Sequence, residues 1–414
     1  MPGIGIVGTG ISGLHAALLL QQHGVDTTVY AERAADELRA GKLPNTVARF
    51  ATTRARERAL GLQAWDGPEF DCHSLHVVVA GEQPLQFRGR VSRPYSLVDF
   101  RVYLPELLDE YERRGGRVVI GPTTAADVVA LADRHELVAV ASGRETMGEL
   151  FPRDPQRSPY SSPQRVVMAG LFEGLAWPDP PEISLNVSSG MAEIFHGPFH
   201  SFDGLVSNLL FEVVPGGPLQ AIASLSYEDD PRGFDAAVLA VVRDHAPLVY
   251  ERVDPAAFGL TAPRDLLQGA ITPTVRRGWA ELGGGRFAVA LGDAWVVNDP
   301  ITGQGANLGS QCAEVLARAV LEDLAYDELF CRTLEARMWA EAEPVVAWTN
   351  SFLQPPQPHV IDLIVGAATD QAVADAFADN FDDPAGMWRS LATPERTAAF
   401  LRRHGSMAGS ATAS

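Results

Sequence analysis

The chain begins with an apolar run, Ile4-Gly5-Ile6-Val7, then a glycine turn, a stretch of helical spacing from about Ser12 to His23, and a second run, Thr27-Thr28-Val29-Tyr30. Short continuous apolar runs bounded by turn residues predict strands buried on both faces, so the first 33 residues read as β-α-β. A loop rich in charge and small residues spans Ala34 to Lys42, and Leu43-Pro44-Asn45-Thr46-Val47 leads into a helix carrying Arg54, Arg56, Glu57 and Arg58. The period then changes to two. Ser74 to Val79 and Leu85 to Arg88 alternate, which predicts an antiparallel hairpin around Gly81. Phe100, Tyr103, Leu104, Leu107, Leu108 and Tyr111 return to helical spacing, closed by Gly115-Gly116 before the strand Arg117 to Ile120. Leu137 to Ala141 reads as another buried parallel strand. From about Arg165 to Leu225 short strands with glycine and proline turns, among them Ile183–Val187, Ala192–Phe195 and Leu205–Val213, predict one antiparallel sheet. A helix around Phe234 to Arg243 and the segment Pro247–Phe258 follow. Phe287 to Leu291 then leads into a second glycine-rich turn. The remainder is mostly helical to about Arg403, and the tail Ser406–Ser414 is too small and polar to order itself.

Composition narrows the partners. With 414 residues, 46% apolar and 21% charged, the chain is long enough for more than one core. A net charge of −19, from 52 acidic against 33 basic residues, opposes non-specific attraction to nucleic acid or anionic lipid and favours a small or neutral ligand. Cys72, Cys312 and Cys331 lack the paired spacing of a zinc site or disulfide framework, so no metal is expected. No cationic region precedes Ile4, so the first run reads as a strand and not a signal peptide, and no apolar stretch reaches membrane-spanning length. A cytoplasmic, soluble protein is expected.

Two motifs carry chemistry. Gly8-Thr9-Gly10-Ile11-Ser12-Gly13 follows a strand and opens a helix, the context in which a dinucleotide fingerprint has physical meaning. The first glycine permits a tight turn, the second lets backbone N–H groups approach a pyrophosphate, and the third allows close helix–sheet packing. Glu32 ends the second strand about 20 residues on, where a carboxylate takes ribose hydroxyls. Leu291-Gly292-Asp293, followed by Asp299-Pro300-Ile301-Thr302-Gly303-Gln304-Gly305-Ala306-Asn307, forms the second site. There Asp293 suits a ribityl hydroxyl, and the glycines and helix start suit an electron-rich ring edge that becomes anionic on reduction.

Both motifs together resemble FAD-dependent aromatic hydroxylases, and further stretches resemble the styrene and indole monooxygenases: Gly24–Tyr30, Asn45–Ala48, Val98–Tyr103, Tyr227–Arg232, Arg252–Ala256 and Leu267–Gly269. The resemblance implies an α/β fold: a Rossmann-like FAD-binding domain of the glutathione-reductase/aromatic-hydroxylase type, an antiparallel substrate domain and a helical C-terminal region. The corresponding segments are 1–70, 92–160 and 270–325 for FAD, 71–91 and 161–269 for substrate, 326–405 for the helices and 406–414 for the tail. It also implies the oxygenase half of a two-component system. Reduced FAD comes from a separate NAD(P)H-dependent flavin reductase, reacts with O2, and passes one oxygen from a flavin hydroperoxide to a vinyl-aromatic or indole-like substrate, with thioether sulfoxidation as a side activity. The cofactor contacts it implies are Gly8, Gly10, Ile11, Ser12, Gly13, Glu32, Lys42, Arg101, Asp293, Pro300, Gly303, Gln304, Gly305, Ala306 and Asn307. For Arg101 the alternative is an ion pair with Asp99 or Glu106. Lys42 stands where the family usually has arginine.

No side-chain nucleophile or acid–base group is required of such an enzyme, only a dry apolar pocket beside the cofactor. Asn45, Thr46, Val47, Pro300 and Ile301 are its expected walls, with Leu209 and Phe211 from the antiparallel sheet, for which a core role is equally compatible with the pattern. Arg49 replaces the histidine of the styrene-type pattern, and Cys72, Leu75 and Tyr95 replace its tyrosine, histidine and serine. His73 and His76 read as ordinary hydrogen-bonded residues. These departures keep two other functions open: a tailoring hydroxylase of a larger natural product, and a carrier or sensor of reduced flavin. A homodimer is one option for the oligomeric state, which the residues leave open.

Overall fold

The computed structural model describes residues 3–143, 147, 149–322 and 325–405. The tail expected at 406–414 lies outside them. The β-α-β start forms as the apolar pattern requires: Ile4–Val7 and Thr27–Ala31 flank the helix Ile11–Gln22, and all four residues of the first strand are buried. These strands sit inside a six-stranded sheet, ordered Trp279–Gly283, Arg286–Ala290, Leu137–Val140, Ile4–Val7, Thr27–Ala31 and Arg117–Ile120. Every pairing is parallel except the hairpin of the first two. Helix Ile11–Gln22 packs on Gly305–Glu322 and on Phe100–Arg113, so the two glycine motifs open neighbouring helices. The loop expected at Ala34–Lys42 contains a short helix, Ala35–Arg39.

A polar chain crosses this core. Tyr103 donates its hydroxyl proton to Glu57 Oε1 at 2.6 Å, so the Tyr103 oxygen accepts from His15 Nε2 at 2.9 Å. His15 Nδ1 is then the acceptor from the Ser310 hydroxyl, also at 2.9 Å. Complete burial, reinforced by the Arg56 and Arg49 charges, pushes the His15 pKa down to about 3, and burial does the same to His196. Both imidazoles stay neutral in the fold, whereas those of the unfolded chain ionise below about pH 6.5. The unfolded state therefore binds more protons below that point, and stability falls as pH drops from 6.5 towards 3. The urea midpoint should decline across this window, and His15→Gln should make the decline shallower; an unchanged slope in that variant would contradict the assignment.

The second sheet is nine-stranded: Gly259–Leu260, Arg165–Glu173, Gly204–Val213, Ala192–Ser201, Glu182–Ser188, Cys72–Val79, Leu85–Val98 and Val47–Arg49 in order, with Leu266–Ile271 also paired to Arg165–Glu173. It is mixed rather than wholly antiparallel, because Cys72–Val79 meets Glu182–Ser188 in parallel, Leu75 opposite Ile183. The strand beginning at Leu85 continues through Pro94 to Val98 and there pairs with Val47–Arg49. The strand thus runs on past residue 92, the expected start of the second FAD-binding segment, and stays in this sheet to Val98. One face of the sheet packs Ile194, Leu209 and Phe211 with Phe234, Val238 and Val242 of helix Pro231–His245. The C-terminal helices Pro358–Thr369 and Gln371–Asp379 cover the hairpin end, where Phe377 meets Phe87 edge-on and Tyr95 donates its hydroxyl to the Ala378 carbonyl. Among the described residues no helix is long and apolar enough to cross a membrane, and no cluster of His, Cys, Asp and Glu is arranged to hold a metal ion.

Candidate functional site

A cleft of about 720 Å³ runs between the two sheets. At one end the Ile4–Val7 strand stops at Gly8, whose φ of +111° makes the tight turn, and Gly13 packs so closely that a Cβ there would lie 2.2 Å from the Gly8 carbonyl oxygen. Gly10 differs: its missing side chain opens on empty space, and as N-cap it leaves the helix Ile11–Gln22 without a side-chain cap. Uncapped first-turn N–H groups behind a glycine are a phosphate-binding arrangement. Gly8, Gly10, Ile11, Ser12 and Glu32 all line this end, joined by Arg33, Ser142 and Gly143.

At the other end Leu291 leads into Gly292, at φ +54°, and presents Asp293 to the cleft. The carboxylate opens on the cleft with protein packed around its other sides, and this desolvation pushes its pKa above the usual carboxylate range. Asp299 caps the short turn Pro300–Thr302 through the Ile301 N–H at 3.2 Å, and Gly303, in the left-handed region at φ +64°, hands the chain to helix Gly305–Glu322. Pro300, Gly303, Gly305 and Ala306 line the cleft, whereas Ile301 is buried behind them. Gln304 and Asn307 hold the loop instead. Gln304 Nε2 donates to the Phe381 carbonyl at 2.8 Å. Asn307 Oδ1 accepts from Phe50 N–H at 3.0 Å and the Thr53 hydroxyl at 2.7 Å, while its Nδ2 donates to Ala48 O at 2.8 Å and Gly303 O at 2.9 Å.

Asn45, Thr46 and Val47 line the middle of the cleft, opposite the Pro300 turn. Besides Gln304 and Asn307, and Gly13 packed behind the turn, two more of the expected cofactor contacts lie outside the cleft. Lys42 is exposed and outside the cleft. Arg101 is 1% exposed and its guanidinium pairs with Asp99 at 2.6 Å and Asp265 at 2.7 Å, the ion-pair alternative with a second carboxylate added. Leu209 and Phe211 are corrections of phase: they face helix Pro231–His245, and their neighbours Asn208 and Leu210 line the cleft. Both faces of that strand are buried, so its apolar pattern carried no sign of which set pointed where. Of the altered positions, Leu75 and Tyr95 line the cleft, whereas Cys72 is buried and lies outside it. Arg49 is buried in an ion pair with Glu57, and His73 and His76 do not reach the cleft. His76 lies 3.4 Å from Glu182.

Between the two ends the wall is mostly apolar, built from Leu75, Leu97, Val167, Ile183, Phe195, Leu210 and Leu267, none of them among the walls expected from the sequence. Asn45 Oδ1 and Asn298 Nδ2 are buried without a partner among the described residues. The cleft thus joins a phosphate-binding turn, a glycine-lined ring site with unpaired polar atoms, and a mostly apolar compartment. Those are the requirements of a bound FAD with an apolar substrate beside it, and the residues present fit that cofactor.

Residues 143–252 match the family model "Styrene monooxygenase A putative substrate binding domain". Styrene monooxygenase StyA of Pseudomonas fluorescens is 36% identical over 397 residues, 95% of this chain and 96% of that protein. Among solved structures, a flavoprotein/dehydrogenase from Cytophaga hutchinsonii superposes with a TM-score of 0.67 at 13% identity, covering 97% of this chain and 99% of its own. PqsL of Pseudomonas aeruginosa, a probable FAD-dependent monooxygenase, gives 0.62 at 17% identity over 93% and 99%. The structural likenesses establish the fold, and the identity to StyA across nearly the whole of both chains establishes the family: this chain belongs to the styrene monooxygenase family of FAD-dependent monooxygenases.

Proposed function

We propose that the chain is the oxygenase component of a two-component system, cytoplasmic, and that it epoxidises a vinyl-aromatic or indole-like substrate. Gly8, Gly10, Ile11, Ser12 and Glu32 would hold the ADP end of FAD, and Asp293, Pro300, Gly303, Gly305 and Ala306 the flavin end. When bound, reduced FAD supplies the two electrons and two protons that turn one atom of O2 into water while the other enters the double bond. The chain's own work is to exclude water and to orient. The observation that carries this reading is the continuity of the cleft: the apolar wall shares one cavity with Pro300 and Asn45, so an apolar substrate would lie against the ring site.

Reduced FAD prepared chemically, mixed anaerobically with the protein and then exposed to O2 and styrene or indole, should yield oxygenated product with no reductase present. Quantitative formation of hydrogen peroxide with every vinyl arene, indole and aryl sulfide tried would overturn the substrate assignment.

A further inference from the structure

Three polar side chains belong to strand residues of the cleft wall: Tyr95, His196 and Asn208. One is accounted for by the protein, and a second, His196, belongs to the other face of the sheet, where its Nδ1 is also buried without a partner among the described residues. The Tyr95 hydroxyl donates to the Ala378 carbonyl. His196 stands opposite Leu209 in the ladder, so its ring lies on the helix-covered face, where Nε2 meets Ser207 Oγ at 3.1 Å. The Ser207 hydroxyl donates to Leu175 O at 2.6 Å, which makes the imidazole N–H the donor to Ser207.

Asn208 has no such engagement. It is 3% exposed, and its Oδ1 is buried without a hydrogen-bond partner among the described residues. Its neighbours across the sheet are Gly197 on one side and Leu171 on the other, so one flank carries no side chain and the other only an apolar one. Burying an amide carbonyl with nothing to accept from is unfavourable unless a ligand completes it. Its place along the strand is informative too. Glu212, four residues on and on the same face, interacts with Asp299 at the root of the Pro300 turn. At about 3.3 Å per residue Asn208 is roughly 13 Å along the strand from that point, so its amide addresses the end of the substrate remote from the turn.

We infer that Asn208 is a specificity-determining residue whose Oδ1 accepts a hydrogen bond from the substrate, which is therefore an aromatic molecule bearing a ring N–H or a hydroxyl and not a plain hydrocarbon. This rests on the oxygenase reading and refines its substrate class. A hydrocarbon in the same place would leave the carbonyl buried and unpaired, the situation in which binding sites discriminate most strongly.

Indole and indene test it, since they share a bicycle and differ in N–H against CH2. The full chain loaded with FAD should bind indole about tenfold more tightly than indene, against the order of their hydrophobicity, and kcat/KM should follow. Asn208→Leu should remove the preference by weakening indole while leaving indene unchanged or improved. Equal binding of the two by the native protein, or an undiminished preference in N208L, would overturn the inference. If N208L does not fold, the native binding ratio decides. Failure to oxygenate either compound would count against the oxygenase reading, and the binding ratio would still decide the role of Asn208.

Discussion

Gly10→Val should fold like the native chain and bind FAD about a hundredfold more weakly, a loss of about 2.7 kcal/mol. Gly10 has φ −71° and ψ 170°, which any residue adopts, and a Cβ built there meets nothing within 4 Å. The protein itself therefore has no objection to a side chain at this position. The space it would fill is the cleft end where N–H groups of the Ile11–Gln22 helix face outward, and a branched side chain there holds a pyrophosphate away from them. The neighbouring Gly13→Ala is the contrasting control: its Cβ would lie 2.2 Å from the Gly8 carbonyl oxygen, so that variant should lose stability as well as cofactor. Thermal unfolding and titration with FAD separate the two. Native FAD affinity in G10V would mean that the cofactor does not pass this turn.

Glu57→Ala should lower stability by about 3–5 kcal/mol. Arg49 and Glu57 are 1% and 3% exposed and lie 2.5 Å apart. Removing the carboxylate leaves the guanidinium buried with only the Trp65 carbonyl and Ser96 hydroxyl, at 3.0 and 2.9 Å, and leaves the Tyr103 hydroxyl without its acceptor. Replacing both partners with apolar residues, R49M with E57L, should recover most of the loss, because the desolvation of two charges disappears along with their attraction. Urea unfolding measures all three chains. A loss below 1 kcal/mol in E57A would show that water reaches Arg49.

How much of this was readable in advance depended on how local the physics was. The glycine turns were legible because each requirement, a positive φ, a close approach, a bare helix start, is imposed within a few residues of the motif. The Gly204–Val213 strand was legible as an element but not in its facing, since Leu209 and Leu210 are equally apolar and both faces are covered. Pro94 hid the continuation of the Leu85–Val98 strand, because a proline ordinarily marks a strand's end or edge. Arg54, Arg56, Glu57 and Arg58 form a charged run of which only Arg58 is exposed; their partners Asp66, Glu314, Arg49 and Ser310 are set by tertiary contact, and nothing in the local pattern announces it. Arg101 was ambiguous for the same reason, its deciding partner Asp265 being 164 residues away.

The four hydrogen bonds of Asn307 join the strand–helix segment of Ala48, Phe50 and Thr53 to Gly303. One buried amide thereby rivets the two jaws of the groove, each bond contributing about 1 kcal/mol to keeping them at a fixed gauge. Under the two-component reading proposed above, FAD delivered by a reductase would meet a dock whose width is set in advance. Loading would then be threading along a finished slot and not prising one open, and the aromatic guest of the proposed reaction would be held at one standoff.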